Sequence, residues 1–206
     1  LAIHKVYHGT PYDSGKAMIE GGKRAVRIRA ITKKKLFDGV AFDKGRRQFG
    51  NPGSLGFGFY TFLEDPNAAR RFAEKFSKDT IVFEIDANFN EDTTLRLDCD
   101  PEDISRFTKF LNDQSFAKDI KYLEKKYKNG PFQKSLDGAL VELYCILSKE
   151  GRIANFQVVC SSTTSNIGLS VLNSSIPNGI EACIKDKAVI ISDEFTIVHE
   201  DEESSE

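Results

Sequence analysis

Period-two alternation opens the chain: residues 3–8 read as a strand ending at His8, which Gly9, Thr10 and Pro11 interrupt. Ser14 then caps a short helix over residues 15–20, and Gly21 with Gly22 ends it. A second strand is aromatic, running from Gly56-Phe57-Gly58 into Phe59-Tyr60-Thr61-Phe62, and its two glycines let the backbone approach a neighbour closely. The period then changes to that of a helix. Asp65 and Pro66 supply an N-cap and a first-turn proline, and Ala69, Phe72, Ala73 and Phe76 recur at i, i+3, i+4 and i+7. Residues 80–87 return to alternation, with Ile81, Phe83 and Ile85 on one face, and a short strand around Leu95 and Leu97 follows.

Asp100, Pro101, Glu102 and Asp103 repeat the helix-opening chemistry, so a helix to about residue 112 is expected. Residues 115–128 are helical and strongly charged, and residues 135–149 carry Leu136, Ala139, Leu140, Leu143, Tyr144 and Leu147 in a wide apolar stripe. These three helices, at about 100–150, form a helical insertion into the sheet or a layer beside it. Strand character resumes at 156–160 and crosses a Ser/Thr/Asn-rich stretch at 161–175. It finishes with short β segments at 180–184, 188–192 and 194–199. The tail at 200–206 is too polar to pack and is expected to be disordered. The pattern predicts the α+β class.

At 206 residues and 40% hydrophobic content the chain can bury one substantial core, and a single domain over 1–199 is expected. The charges nearly cancel, 29 Lys plus Arg against 31 Asp plus Glu, so their distribution says more than their sum. From Gly21 to Phe37 the chain carries Lys23, Arg24, Arg27, Arg29, Lys33, Lys34 and Lys35 without an acid, and Lys44, Arg46 and Arg47 follow. Basic loops without special function are frequent; the functional alternative is a surface that holds the phosphates of a dinucleotide or a nucleic acid. Arg27 and Arg29 alternate with Val26, Ile28 and Ala30, which predicts a strand showing its charges on one face. Residues 39–54 have little periodicity and read as a mobile loop.

Cys99, Cys145, Cys160 and Cys183 are far apart and show no metal-ligand spacing, so reduced, mostly buried thiols are expected and no metal site is indicated. No apolar run approaches the ~18–20 residues that span a bilayer, and no signal-peptide pattern opens the chain. A cytoplasmic location without membrane attachment is the expectation.

Three strand-like islands each set a polar or aromatic group beside a glycine: Val6-Tyr7-His8-Gly9-Thr10, Gly56-Phe57-Gly58-Phe59-Tyr60, and Pro177-Asn178-Gly179-Ile180-Glu181-Ala182. In this order they resemble the His-Tyr-Glu class of ADP-ribosyltransferases, which includes poly(ADP-ribose) polymerase catalytic domains and diphtheria-like toxins. The resemblance implies a split β-sheet core with flanking helices. It also implies an enzyme that cleaves the nicotinamide–ribose bond of NAD and passes ADP-ribose to an acceptor without a metal. Such a reaction has an oxocarbenium-like transition state and needs a carboxylate near the positive sugar.

The resemblance implies roles for individual residues. His8 would hydrogen-bond the adenosine ribose, with Thr10 a second ribose contact, and Gly9 would hold the nicotinamide carboxamide through its backbone N–H and C=O. Tyr60, on the strand opened by Gly58, would stack on the nicotinamide ring, worth about 0.5–1.5 kcal/mol. Glu181 would be the catalytic carboxylate, gripping the 2′-hydroxyl of the nicotinamide ribose. Phe72, beside Arg70 and Arg71, stands near the place of the family's second stacking aromatic, and the second face of nicotinamide is left unassigned. Gly179, two residues before Glu181, departs from the paired acids of arginine-specific toxins.

Single transfer by a bacterial effector or toxin–antitoxin protein is the leading expectation. RNA or DNA is slightly favoured over protein as acceptor because of Lys23, Arg24, Arg27 and Arg29, and an antitoxin protein is a further expected partner. Two alternatives are a non-catalytic NAD- or ADP-ribose-binding module and an RNA 2′-phosphotransferase of the same fold. The second needs a His/Arg-rich site, and this chain has only His4, His8 and His199.

Overall fold

A computed structural model of the chain describes residues 2–38, 52–127, 134–164 and 178–200. Its strands are β1 (Ala2–Pro11), β2 (Phe59–Leu63), β3 (Thr80–Phe89), β4 (Thr94–Arg96), β5 (Val158–Thr163), β6 (Gly179–Ile184) and β7 (Thr196–Glu200). The helices are α1 (Tyr12–Gly21), α2 (Lys33–Asp38), α3 (Pro66–Ala73), α4 (Pro101–Asn112), α5 (Ala117–Tyr127) and α6 (Ser135–Glu150). The strands form one seven-stranded mixed sheet in the order β4-β5-β6-β2-β1-β3-β7, in which only the β4–β5 pair is parallel. The class is therefore α+β.

The sheet is unequal along its width. β1 and β3 pair over ten residues, from Ala2 with Phe89 to Pro11 with Thr80, whereas β1 and β2 share only Val6 with Leu63 and Tyr7 with Phe62. That narrow ladder leaves a seam at the middle of the sheet.

Each face buries its own apolar set. On one face Val6, Phe59, Phe83, Ile85, Ala182 and Ile184 pack with Met18 of α1 and with Val189 and Ile190. On the other face α3 covers Tyr7, Phe62 and Val82 with Ala68 and Ala69, and α6 covers Leu95, Val159 and Cys183 with Val141 and Cys145. Fully burying a side chain such as Phe83 or Ile85, both 0% exposed, stabilises by about 1.5–3 kcal/mol. A third cluster, with Leu36, Leu123 and Leu143 fully or nearly fully buried, ties α2, α5 and α6 together, so the helices from α4 onward form a layer on the β4–β2 half of the sheet.

The helix starts follow from capping chemistry. Asp65 accepts from the Ala68 N–H at 2.9 Å ahead of Pro66, and Asp100 accepts from the Glu102 and Asp103 N–H groups ahead of Pro101. Several expectations need correction. α1 begins at Tyr12, so Ser14 lies inside the helix and caps nothing. α3 ends at Ala73, leaving Phe76 beyond the helix and 63% exposed. Residues 26–32 form no strand: Val26 and Ile28 anchor to the sheet core without a pairing partner, and α2 follows. Residues 187–189 make a 3-10 turn, after which Ile190 forms a single bridge to Ala87 in place of a strand.

The expected loop at 39–51, with Lys44, Arg46 and Arg47, the Ser/Thr/Asn-rich stretch from 165, and the acidic tail from 201 lie outside the described residues. Cys145, Cys160 and Cys183 are buried and free, and Cys99 is exposed and free. No helix among the described residues is long and apolar enough to cross a membrane.

Candidate functional site

The three islands occupy neighbouring strands at the seam, in the spatial order β6-β2-β1. Register decides which side chains share a face. Phe62 stands opposite both Tyr7 and Glu181, and Tyr60 stands opposite Cys183, so Tyr60, Phe62 and Glu181 project from one face. Phe72 packs on that face against Phe62, with ring centroids 5.9 Å apart.

His8 is on the other face. It stands opposite Phe83, and its ring lies 4.4 Å from that of Phe59 in the opposite core. Thr10 shares that orientation under α1, where a Cβ on Gly15 would meet its Cγ2 at 3.1 Å. The expectation that an imidazole, a phenol and a carboxylate line one cleft is corrected to this extent: strand alternation separates His8 and Thr10 from the other two.

What His8 does instead is span the seam. Its Nδ1 lies 2.8 Å from the Tyr60 carbonyl, which makes Nδ1 the protonated nitrogen and the carbonyl the acceptor. Burial holds the His8 pKa below its usual value, partly opposed by that hydrogen bond, so the ring is neutral. Gly9 gains from the arrangement. The Lys5 carbonyl accepts from the Glu64 N–H, and the two-residue alternation turns the N–H and C=O of Tyr7 and Gly9 toward β2 as well. The ladder stops at Tyr7, so the polar edge of Gly9 faces the seam beyond the last register pair. Its other side is closed, because a Cβ there would sit 2.0 Å from the Ala69 carbonyl of α3.

Tyr60 is held by the turn that precedes β2. Its hydroxyl donates to the Gly56 carbonyl at 2.7 Å and accepts from the Leu55 N–H at 2.9 Å, while its ring remains half-buried. Burial pushes its pKa up, so the phenol stays protonated. The glycines of this stretch approach the protein's own chain. Gly56, at φ +91°, leaves room for the Glu142 carboxylate, and Gly58 leaves room for the Cys183 sulfur and the Ile184 carbonyl. Gly58 therefore faces β6 and not a ligand space.

Glu181 is 9% exposed. Its carboxylate accepts from the Ser54 hydroxyl, and burial raises its pKa against the opposing influence of Ser54, Lys134 and Lys75. A cleft of about 310 Å³ opens beside it, walled by Phe107 and Ile104 of α4, Leu140 and Val141 of α6, and Ser161 of β5. Glu181 thus stands between the seam and this cleft.

Three participants were missed from sequence. Ser54 lies in a stretch that reads as an unpatterned loop. Glu142 accepts from the Phe57 N–H at 2.9 Å and from Lys185 at 2.7 Å, and Lys185 also donates to the Phe57 carbonyl at 3.2 Å. Both partners of this pair are nearly buried, at 8% and 10% side-chain exposure, and they clamp the turn at 53–58. A carboxylate inside the apolar stripe of 135–149 was the available signal.

The basic candidates lie elsewhere. Lys23 donates to the Ile190 carbonyl, and the Arg24 carbonyl receives Lys187 at 3.2 Å. Arg27 and Arg29 line a second groove, on the Phe57 side of the turn. None of the four lines the Glu181 cleft. Among the described residues no cluster of His, Cys, Asp or Glu is placed to hold a metal. Comparison with protein-family models, with curated proteins and with solved structures gives no match to this chain.

Proposed function

We propose that the chain is an NAD-dependent mono-ADP-ribosyltransferase with an ADP-ribosyltransferase-like fold. The observation that carries this reading is the meeting of the seam with the acid: the buried Gly9 edge lies beyond the last β1–β2 register pair, while Tyr60 and Glu181 project from one face of β2 and β6. The Gly9 N–H and C=O suit a carboxamide, which needs one donor and one acceptor in line. On this reading nicotinamide stacks on the Tyr60 ring, whose hydroxyl end Gly53 already covers, and the buried Glu181 carboxylate accepts from the ribose 2′-hydroxyl.

As the C–N glycosidic bond stretches, its electron pair leaves with nicotinamide and positive charge grows on the ribose. The fixed anion of Glu181 stabilises that charge in a site largely shielded from water. An acceptor oxygen or nitrogen then bonds to the anomeric carbon and loses its proton. His8 acts as a positioning residue: by occupying the Tyr60 carbonyl it keeps that carbonyl from the Gly9 N–H.

Release of nicotinamide from NAD tests the proposal, and Glu181→Gln should reduce it about a hundredfold or more. Unchanged release in that variant removes Glu181 from the chemistry. Binding of NAD without any release favours the second reading, a non-catalytic NAD- or ADP-ribose-binding module, which the placement of His8 on the far face also suits.

A further inference from the structure

The carboxamide and ribose contacts leave the cleft of about 310 Å³ beside Glu181 unused. Its walls are apolar, built from Ile104, Phe107 and Leu111 of α4 with Leu140 and Val141 of α6. The Phe107 ring is fixed from behind by Tyr144, edge-on with centroids 5.4 Å apart, and by Phe110 at 6.1 Å. Ile104 is 41% exposed, so the wall includes an apolar side chain that the fold leaves uncovered.

Polar groups gather around the acid. Ser161 of β5 stands directly opposite Glu181 of β6, so the two side chains project from one face with Cβ atoms about 4.5–5.5 Å apart. The Ser161 hydroxyl donates to the Ser162 carbonyl at 3.4 Å, a long bond that yields readily to a ligand. Ser54 donates to Oε2 of Glu181, and a carboxylate has a second oxygen for a further donor. Charge decides against an anion: among the described residues lining the cleft, Lys134 is set against Asp137 and Glu181. The apolar walls in turn make an ammonium costly to bury. The volume is at the lower end of the about 300–1,000 Å³ typical of clefts that take whole small molecules, with room for about one or two rings.

We propose that this cleft binds a small uncharged molecule carrying a hydroxyl on an apolar ring, with the ring against Phe107 and Leu140 and the hydroxyl toward Glu181 and Ser161. As the acceptor of ADP-ribose this molecule rests on the proposed transferase reading. Glu181 stands between the seam and the cleft, so the hydroxyl meets the ribose at the acid. Its oxygen bonds to the anomeric carbon, the electron pair of the C–N bond leaves with nicotinamide, and the hydroxyl proton passes to water.

The experiment titrates 2-naphthol, uncharged at neutral pH, into the full chain without NAD and reads the probe's fluorescence, since the chain has no tryptophan to interfere. Saturable binding is expected. The same ring as an anion, naphthalene-2-sulfonate, or as a cation, 2-naphthylmethylammonium, should bind about tenfold or more weakly. 2-Methoxynaphthalene lacks the O–H and should also bind about tenfold more weakly, the worth of one hydrogen bond to a carboxylate. Ile104→Glu, at an exposed position on the wall, should weaken 2-naphthol binding about tenfold or more. Ile153→Glu, 76% exposed beyond the far end of α6, should leave it unchanged, and a thermal melt confirms that both variants fold. p-Cresol should displace the probe at lower concentration than a blocked tripeptide with a central tyrosine, which separates a free molecule from a protein side chain. Absence of saturable binding, equal or tighter binding of either charged ring or of the methoxy compound, unaltered binding in Ile104→Glu, equal loss in Ile153→Glu, or better displacement by the peptide each overturns the proposal. With NAD then added, nicotinamide release should rise over the same range of 2-naphthol, and the naphthyl ADP-ribose adduct should appear by mass spectrometry. Binding without nicotinamide release sinks the transferase reading and keeps the cleft; release without binding does the opposite, and binding with release but no adduct removes the acceptor role.

Discussion

Across the seam between β1 and β2, the His8 imidazole stands 2.8 Å from the Tyr60 carbonyl, the acceptor that a continued ladder would offer to Gly9. One side chain thereby stands where a strand pairing ends and leaves the buried Gly9 edge beyond the last register pair. His8→Leu keeps apolar bulk in the buried site and removes the donor. The Tyr60 carbonyl then becomes available to the Gly9 N–H, and the expected result is slower hydrogen exchange at Gly9. KM for NAD should rise about tenfold, the worth of one hydrogen bond of about 1.4 kcal/mol, with a smaller change in kcat. A Gly9 amide already protected from exchange in the wild-type protein would contradict the open seam.

The same residue gives a pH signature. Burial depresses the His8 pKa below 6.5, so the unfolded chain takes up a proton at higher pH than the folded one does. The contribution to stability is complete above pH 6.5 and declines as pH falls from there through the folded pKa. Wild-type stability should therefore fall more steeply on acidification below pH 6.5 than that of His8→Leu, as read from urea midpoints. Parallel curves for the two proteins would place the imidazole in water.

Glu181 has the opposite sign. Its folded pKa is raised above 4.5 by burial, so its contribution is present in full below pH 4.5 and lost as pH rises through the folded pKa. At neutral pH the buried charge is a net cost. Glu181→Gln preserves shape, removes the charge and can still accept from Ser54, so it should melt at a higher temperature than wild type at pH 7. The two should converge below pH 4.5, while nicotinamide release falls about a hundredfold or more. A variant less stable at neutral pH would mean that the carboxylate is there for structure.

The local grammar of the fold was legible in the chain, and its cross-strand geometry was not. Asp65-Pro66 and Asp100-Pro101 announce α3 and α4 because capping is settled within four residues. The strands carrying His8, Tyr60 and Glu181 were likewise readable from alternation, and they do adjoin. Which face each side chain takes depends on registers such as Tyr7 with Phe62, and these are set by contacts more than fifty residues apart in the chain. The same holds for Ser54, Glu142 and Lys185, whose roles exist only once α6 and β6 bracket the turn at 53–58. The run at 26–30 shows the converse failure: its alternation is genuine, but only the apolar half of it is used, with no strand beside it to pair.

The buried pair of Lys185 and Glu142 should behave as a unit. Burial works against the Lys185 ammonium, but Cys183 and the Glu142 carboxylate outweigh it and its pKa moves up. Lys185→Met leaves the Glu142 carboxylate buried with the Phe57 N–H as its remaining partner, and the expected loss is about 3–5 kcal/mol in urea unfolding. Adding Glu142→Leu removes the orphan charge and should recover most of that loss. If the double variant is no more stable than the single one, the pair is held by more than mutual compensation.

Gly138 decides between two effects of opposite sign. It lies inside α6, where replacing glycine by alanine on an open surface would stabilise by about 1 kcal/mol through helix propensity. Here a Cβ would stand 1.6 Å from the Gly53 carbonyl and 2.9 Å from the Gly56 nitrogen, both backbone atoms of the turn that carries Ser54 and anchors the Tyr60 hydroxyl. Backbone at that distance has to move, so the clash outweighs the propensity gain. Gly138→Ala should lower the melting temperature and displace the turn from α6. Activity should fall with it, because Ser54 then leaves Glu181 and the Tyr60 hydroxyl loses the Gly56 carbonyl and the Leu55 N–H. Leu143→Ala, buried on the same helix in the cluster with Leu36 and Leu123 and not part of the cleft wall, serves as a control for general loosening. If Gly138→Ala proved as stable and as active as wild type, the turn at 53–58 would not be wedged against α6, and the placement of Ser54 beside Glu181 would lose its support.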